Sequence, residues 1–95
     1  MKIYLTNSAK SDLSKLLSDK NNKEYIRISK KTGNVWQGPS MDLALDKRNN
    51  DDSVYEVDNY KFIIKKQLEL EFSVLYVNYI DNEYYTGYRI DTEMF

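Results

Sequence analysis

Asp52-Ser53-Val54-Tyr55-Glu56-Val57-Asp58-Asn59-Tyr60-Lys61-Phe62-Ile63-Ile64 is the stretch on which the fold turns. Two short runs of β-branched and aromatic residues, Val54 to Val57 and Tyr60 to Ile64, flank Asp58-Asn59. Asp and Asn tolerate positive φ, so a two-residue link between such runs predicts a tight β-hairpin. Beyond it, Lys65 to Phe72 places Leu68 and Phe72 at i and i+4 and predicts one or two helical turns. Val74 to Ile80 is again β-branched and aromatic and is expected to be the most buried strand. Asp81-Asn82 turns it into a last strand, Tyr84 to Ile90, in which Gly87 marks a bulge or a close approach.

Upstream of the hairpin, Lys47 to Ser53 reads as a charged, solvated loop. Met41, Leu43 and Leu45 alternate with Asp42, Ala44 and Asp46, and Ile26 and Ile28 alternate with Arg27 and Ser29; both are half-buried strands. Between them, Thr32 to Ser40 holds two of the three glycines and the single proline and reads as a loop. Asp19 to Lys23 is a polar turn. Ahead of it, Ala9, Leu13, Leu16 and Leu17 share one face of a helix at Ser8–Leu17, capped by the oxygen of Thr6 or Asn7. Ile3 to Leu5 is a short edge strand. The order β-α-β-β-β-β-α-β-β over residues 1–95 predicts one α+β domain. It would carry a curved, mostly antiparallel sheet or a two-layer β structure, one longer N-terminal helix and one short helix. The core is expected at Ala9, Leu13, Leu16, Ile26, Ile28, Leu43, Phe62 and Val77.

Composition limits the chemistry. The 95 residues contain no cysteine and no histidine, so the chain itself supplies neither thiolate nor imidazole ligands. Lys and Arg number 14 against 15 Asp and Glu, which gives no basic footprint for nucleic acid and no attraction to an anionic membrane. The opening Met-Lys-Ile-Tyr-Leu-Thr-Asn-Ser turns polar too early for a secretory signal, and no apolar run approaches the ~20 residues of a membrane helix. A cytoplasmic protein is expected.

Without histidine the usual base of a nucleophilic triad is missing, which leaves a Ser–Lys pair built on Ser40 or Ser73 as the remaining form. Serines near lysines occur in any polar chain, and no enzyme is expected. Asp42, Asp46, Asp51, Asp52, Asp58 and Asp81 lack the spacing of a calcium loop; Asp51-Asp52 could attract a divalent cation but reads better as a solvated loop, and Lys65-Lys66 could meet an anion at low salt but reads better as solvated. No cofactor and no metal site is expected. Nine tyrosines, six of them from Tyr60 onward, fit strand propensity or an aromatic contact surface.

Three segments together carry a family likeness. Ile3-Tyr-Leu-Thr-Asn-Ser-Ala-Lys-Ser-Asp-Leu-Ser-Lys-Leu-Leu17 resembles the opening strand and helix of the HesB-like A-type iron–sulfur carriers. Asp52 to Phe62 resembles that family's central hairpin, and Val77-Asn-Tyr-Ile-Asp81 with Thr86-Gly-Tyr-Arg-Ile90 resembles its last two strands. The family holds its cluster with one cysteine in a glycine-rich turn and a Cys-x-Cys near the C-terminus. Here the turn is Gly33-Asn-Val-Trp-Gln-Gly38, with about Trp36 at the cysteine position, and the sequence ends at Phe95 where the second motif would follow Asp91-Thr-Glu93.

The resemblance therefore implies a HesB-like domain that has lost cluster ligation. Such a domain would be a binding or regulatory module for a protein partner, of iron–sulfur assembly or of another set, and self-association as a homodimer is expected. The alternative is an iron or iron–sulfur assembly factor that uses oxygen ligands or a partner's thiols. Partner contacts are expected at Trp36, Gln37, Tyr84 and Tyr85: tryptophan and tyrosine bury large amphipathic rings at interfaces. For Trp36, folding back over the end of the sheet is the competing reading.

Overall fold

The computed structural model describes residues 1–18, 24–31 and 40–95. The elements are β1 (Lys2–Leu5), α1 (Asn7–Ser18), β2 (Tyr25–Lys31), β3 (Ser40–Asp46), β4 (Asp52–Val57), β5 (Tyr60–Lys65), α2 (Lys66–Glu69), β6 (Phe72–Asp81) and β7 (Thr86–Met94). They form two sheets, one ordered β1-β6-β7 and the other β3-β2-β5-β4. The pairs β2–β3, β4–β5 and β6–β7 are antiparallel, while β1–β6 and β2–β5 are parallel. This is the expected α+β, two-layer, mostly antiparallel structure. The two parallel contacts join strands far apart in sequence, which local patterning does not reveal.

Thr6 is the helix cap: its hydroxyl oxygen accepts the Ala9 backbone N–H at 3.2 Å. The same hydroxyl donates to Asn78 Oδ1 at 2.8 Å, so the cap also pins α1 to β6. Asp58 and Asn59 have φ of 50° and 70°, the left-handed conformation that the β4–β5 hairpin needs. Gly87 has φ of 154°, and a Cβ there would lie 3.0 Å from the Tyr85 hydroxyl. The close approach is at Gly87, whereas the register shift of the β6–β7 ladder lies between Phe72 and Val74.

The core is Ile3, Ala9, Leu13, Ile26, Ile28, Met41, Phe62, Ile64, Phe72, Leu75 and Val77. Leu16 is 37% exposed and lies outside it, and Leu43 is half-buried against its margin. Leu13 occupies the centre of the helix face, and Leu16, three residues on, sits at the edge of the stripe. The most continuously buried strand is β5, where Phe62, Ile63 and Ile64 are all covered, rather than β6. A central strand sandwiched between β2 and β4 loses both flanks to its neighbours. Among the described residues no helix is long and apolar enough to cross a membrane.

Candidate functional site

One end of the domain holds residues that flank the segments to which the family likeness assigns ligands. Lys31 pairs with Ser40, so these two residues frame segment 32–39. Phe72, at the start of β6, pairs with Met94 near the C-terminal end of β7. Lys30 Nζ lies 2.8 Å from Glu71 Oε1 and ties the two regions together. The flanks of the glycine-rich segment and the C-terminal strand end thus meet. Trp36 and Gln37 lie outside the described residues, as do the turn from 19 to 23 and the expected loop from Thr32 to Ser40, except that Ser40 begins β3 rather than ending the loop.

The same end opens into a cleft of about 300 Å³. The parallel ladder β2–β5 comprises only Ile26↔Phe62 and Arg27↔Ile63. Beyond it the strands part, and the chain turns into α2. Ile28 and Leu68 supply apolar lining, while Ser29, Lys30, Lys65, Gln67 and Glu71 surround the mouth.

Arg27 also lines the cleft and forms ion pairs with Asp46 and Asp52. Alternation points it away from Ile26 and Ile28, onto the face of the sheet opposite the main core. Its Nη1 and Nη2 donate to the two carboxylate oxygens of Asp52 at 2.8 and 2.6 Å, a bidentate pair. Nε donates to Asp46 at 2.6 Å and Nη2 also to the Lys47 carbonyl at 3.3 Å. The Asp52 side chain is fully buried and that of Arg27 is 13% exposed. Hydrogen bonding to Arg27, opposed by burial, holds the Asp52 carboxyl below the usual carboxylate range; the Asn49 backbone N–H at 2.7 Å adds to the effect.

Asp52 was expected in a solvated loop, and this is corrected: β4 begins at Asp52 and buries it against a guanidinium from β2. Local sequence carries no sign of this pairing, because Arg27 and Asp52 are brought together only when β2, β5 and β4 lie side by side. Lys65 and Lys66 are exposed, as expected. Asp58 pairs with Lys10 at 3.0 Å.

Tyr84 and Tyr85 lie in the turn between β6 and β7 rather than in a strand, because Asn82 Oδ1 accepts both of their backbone N–H groups at 2.8 and 2.9 Å. The Tyr84 side chain is 90% exposed, whereas the Tyr85 hydroxyl donates to the Tyr88 carbonyl at 3.2 Å. Tyr88, Tyr60 and Tyr55 tie the fold together through their hydroxyls. Tyr88 donates to Asp12 of α1, and burial followed by this acidic partner raises its pKa strongly. Tyr60 donates to the Lys10 carbonyl at 2.9 Å, so strands of both sheets grip the helix. Tyr55 donates to Glu69, which also accepts from Ser53 at 2.8 Å; burial first, then Glu69, pushes Tyr55 up to about 12. Tyr4 and Tyr76 stack at 5.5 Å on the outer face of the three-stranded sheet.

Ser73 already donates to the Glu93 carbonyl at 3.1 Å, and nothing is described of the Ser40 side chain. No group of three carboxylates among the described residues is disposed to hold a metal ion.

No protein-family model matches this sequence, and no curated protein does. Solved structures do match. The crystal structure of Escherichia coli SufA, involved in biosynthesis of iron–sulfur clusters, superposes with a TM-score of 0.76 at 17% identity, covering 97% of this chain and 86% of SufA. IscA with its [2Fe-2S] cluster superposes with a TM-score of 0.71 at 19% identity, covering 95% of this chain and 81% of IscA. Identities this low speak for architecture alone, and at that level the chain adopts the HesB-like fold of SufA and IscA.

Proposed function

We propose that this protein is a non-catalytic binding or regulatory module on a HesB-like scaffold, which has lost cluster ligation and docks a protein partner of iron–sulfur assembly. One observation carries the reading: a fold shared with SufA and IscA is built from a sequence without a single cysteine or histidine. Iron–sulfur clusters are held by thiolates, with imidazole as the occasional substitute, and carboxylates suit harder ions. What survives such a loss is the surface by which a scaffold meets its partners. Tyr84, at 90% the most exposed large hydrophobic among the described residues, supports Tyr84 and Tyr85 as contacts, and Trp36 and Gln37 are proposed as further contacts. A homodimer and a cytoplasmic setting belong to the same proposal.

The test is anaerobic reconstitution with iron and sulfide, followed by affinity isolation of native partners. The protein should stay colourless after desalting and recover cluster-assembly proteins. A stable visible charge-transfer band would overturn the loss of ligation. Recovery of an unrelated set of proteins would overturn the assignment to iron–sulfur assembly.

A further inference from the structure

The cleft between the parted ends of β2 and β5 holds polar groups that the fold itself does not use. Arg27 is matched by Asp46 and Asp52, and Lys30 by Glu71. Lys65 makes no ion pair among the described residues, although its charge helps to lower the Asp52 carboxyl pKa. Ser29 and Gln67 line the same cleft, and neither has a side-chain hydrogen bond among the described residues. Leu68, half-buried, lines the cleft as well, whereas Ile28 is 1% exposed and belongs to the core. We propose that this cleft binds a small organic monoanion, a single carboxylate on a short apolar body, with the carboxylate at Lys65, Ser29 and Gln67 and the apolar body against Leu68.

Size, charge and backbone geometry each narrow the ligand. A volume of about 300 Å³ is at the lower end for small-molecule pockets, which are apolar hollows with a few placed polar groups. Among the described residues Lys65 is the one cation of the wall without a carboxylate partner, so it favours an anion there. Glu71 on the wall and Asp52 behind Arg27 oppose a second negative charge on the ligand, which selects a carboxylate over a phosphate dianion. An added peptide strand is disfavoured. The pairing of Arg27 with Ile63 puts Ser29 level with Lys65, so only Lys30 and Lys31 of β2 extend beyond β5, fewer residues than a strand needs. The proposal does not depend on docking to a protein partner, and the two can fail separately.

The experiment is a ¹H–¹⁵N NMR titration of the full chain with hexanoate, with hexanol, hexylamine and hexyl phosphate as comparison probes. Hexanoate should shift the amides of Ser29, Lys65, Gln67 and Leu68 saturably, with a Kd of about 1 mM or tighter. Hexanol and hexylamine should bind about tenfold more weakly, since they lack the charge-assisted contact. Lys65→Met should weaken hexanoate about tenfold, and Lys65→Arg should restore it. Lys65 is exposed, so both variants are expected to fold, and their spectra report this directly. Absent saturation, shifts centred elsewhere, indifference to Lys65→Met, or tighter binding of hexyl phosphate than of hexanoate would each overturn the proposal.

Discussion

Truncating Arg27 to alanine should be among the most damaging single changes in this protein. The substitution leaves the Asp52 carboxylate, whose side chain is fully buried, with the Asn49 backbone N–H at 2.7 Å and the more distant charge of Lys65. Breaking a buried ion pair from one side costs about 3–5 kcal/mol, because the remaining charge stays desolvated. Asp52→Ala should cost less, about 2–3 kcal/mol, since Arg27 keeps Asp46 at 2.6 Å and is itself 13% exposed. Asp46, 44% exposed, should cost about 1 kcal/mol. Urea unfolding followed by circular dichroism reads the series. With a slope of about 1 kcal/mol per molar, Arg27→Ala moves the midpoint by about 3 M or more. The double variant Arg27→Met with Asp52→Leu should recover much of the loss, because it removes both charges together. A cost below about 1 kcal/mol for Arg27→Ala, the range of an exposed pair, would refute the assignment of this pair as a buried centre. A larger cost for Asp46→Ala than for Asp52→Ala would refute its geometry.

Acid should act through the same residues. Hydrogen bonds from Arg27 hold Asp52 below its ordinary value of 3.8, and the Tyr55 hydroxyl does the same for Glu69 below 4.5. A depressed carboxylate contributes stability that is present above its unfolded pKa and is lost as pH falls through the folded value, so the urea midpoint should drop below about pH 4 and less steeply in Asp52→Ala. Leu13→Ala should cost about 2–4 kcal/mol as a large-to-small change in the core, and Leu16→Ala under about 0.5 kcal/mol in the same assay; equal costs would contradict the burial of α1. Tyr88→Phe removes the donor to Asp12 and should lower stability by about 1 kcal/mol, with faster amide exchange in α1; unchanged exchange there would show that this contact does not hold the helix.

The candidate site was legible only in part. The absence of thiol and imidazole could be read directly, and so could the exposure of Tyr84, which sits beside turn-forming Asp81-Asn82. Its removal from a strand could have been anticipated from Asn82, whose side chain commonly satisfies backbone N–H groups two and three residues on. The cleft could not. Ser29, Lys65 and Gln67 look like ordinary surface residues, and only the short β2–β5 ladder makes them neighbours.

By itself the sequence determined the order and type of the described elements, though not all their bounds, because each rests on short-range physics: the Thr6 cap, the left-handed Asp58-Asn59 turn, and alternation along Tyr25 to Lys30 and Met41 to Asp46. It also settled six core residues: Ala9, Leu13, Ile26, Ile28, Phe62 and Val77. Tertiary structure alone decided the parallel pairings of β1 with β6 and β2 with β5, the burial of Asp52 against Arg27, and the opening of the cleft. Periodicity shows which face a side chain takes but not which strand will lie beside it. A charge on the face away from the core reads as solvated until a distant strand brings its counter-ion, and that contact joins residues separated by 25 positions.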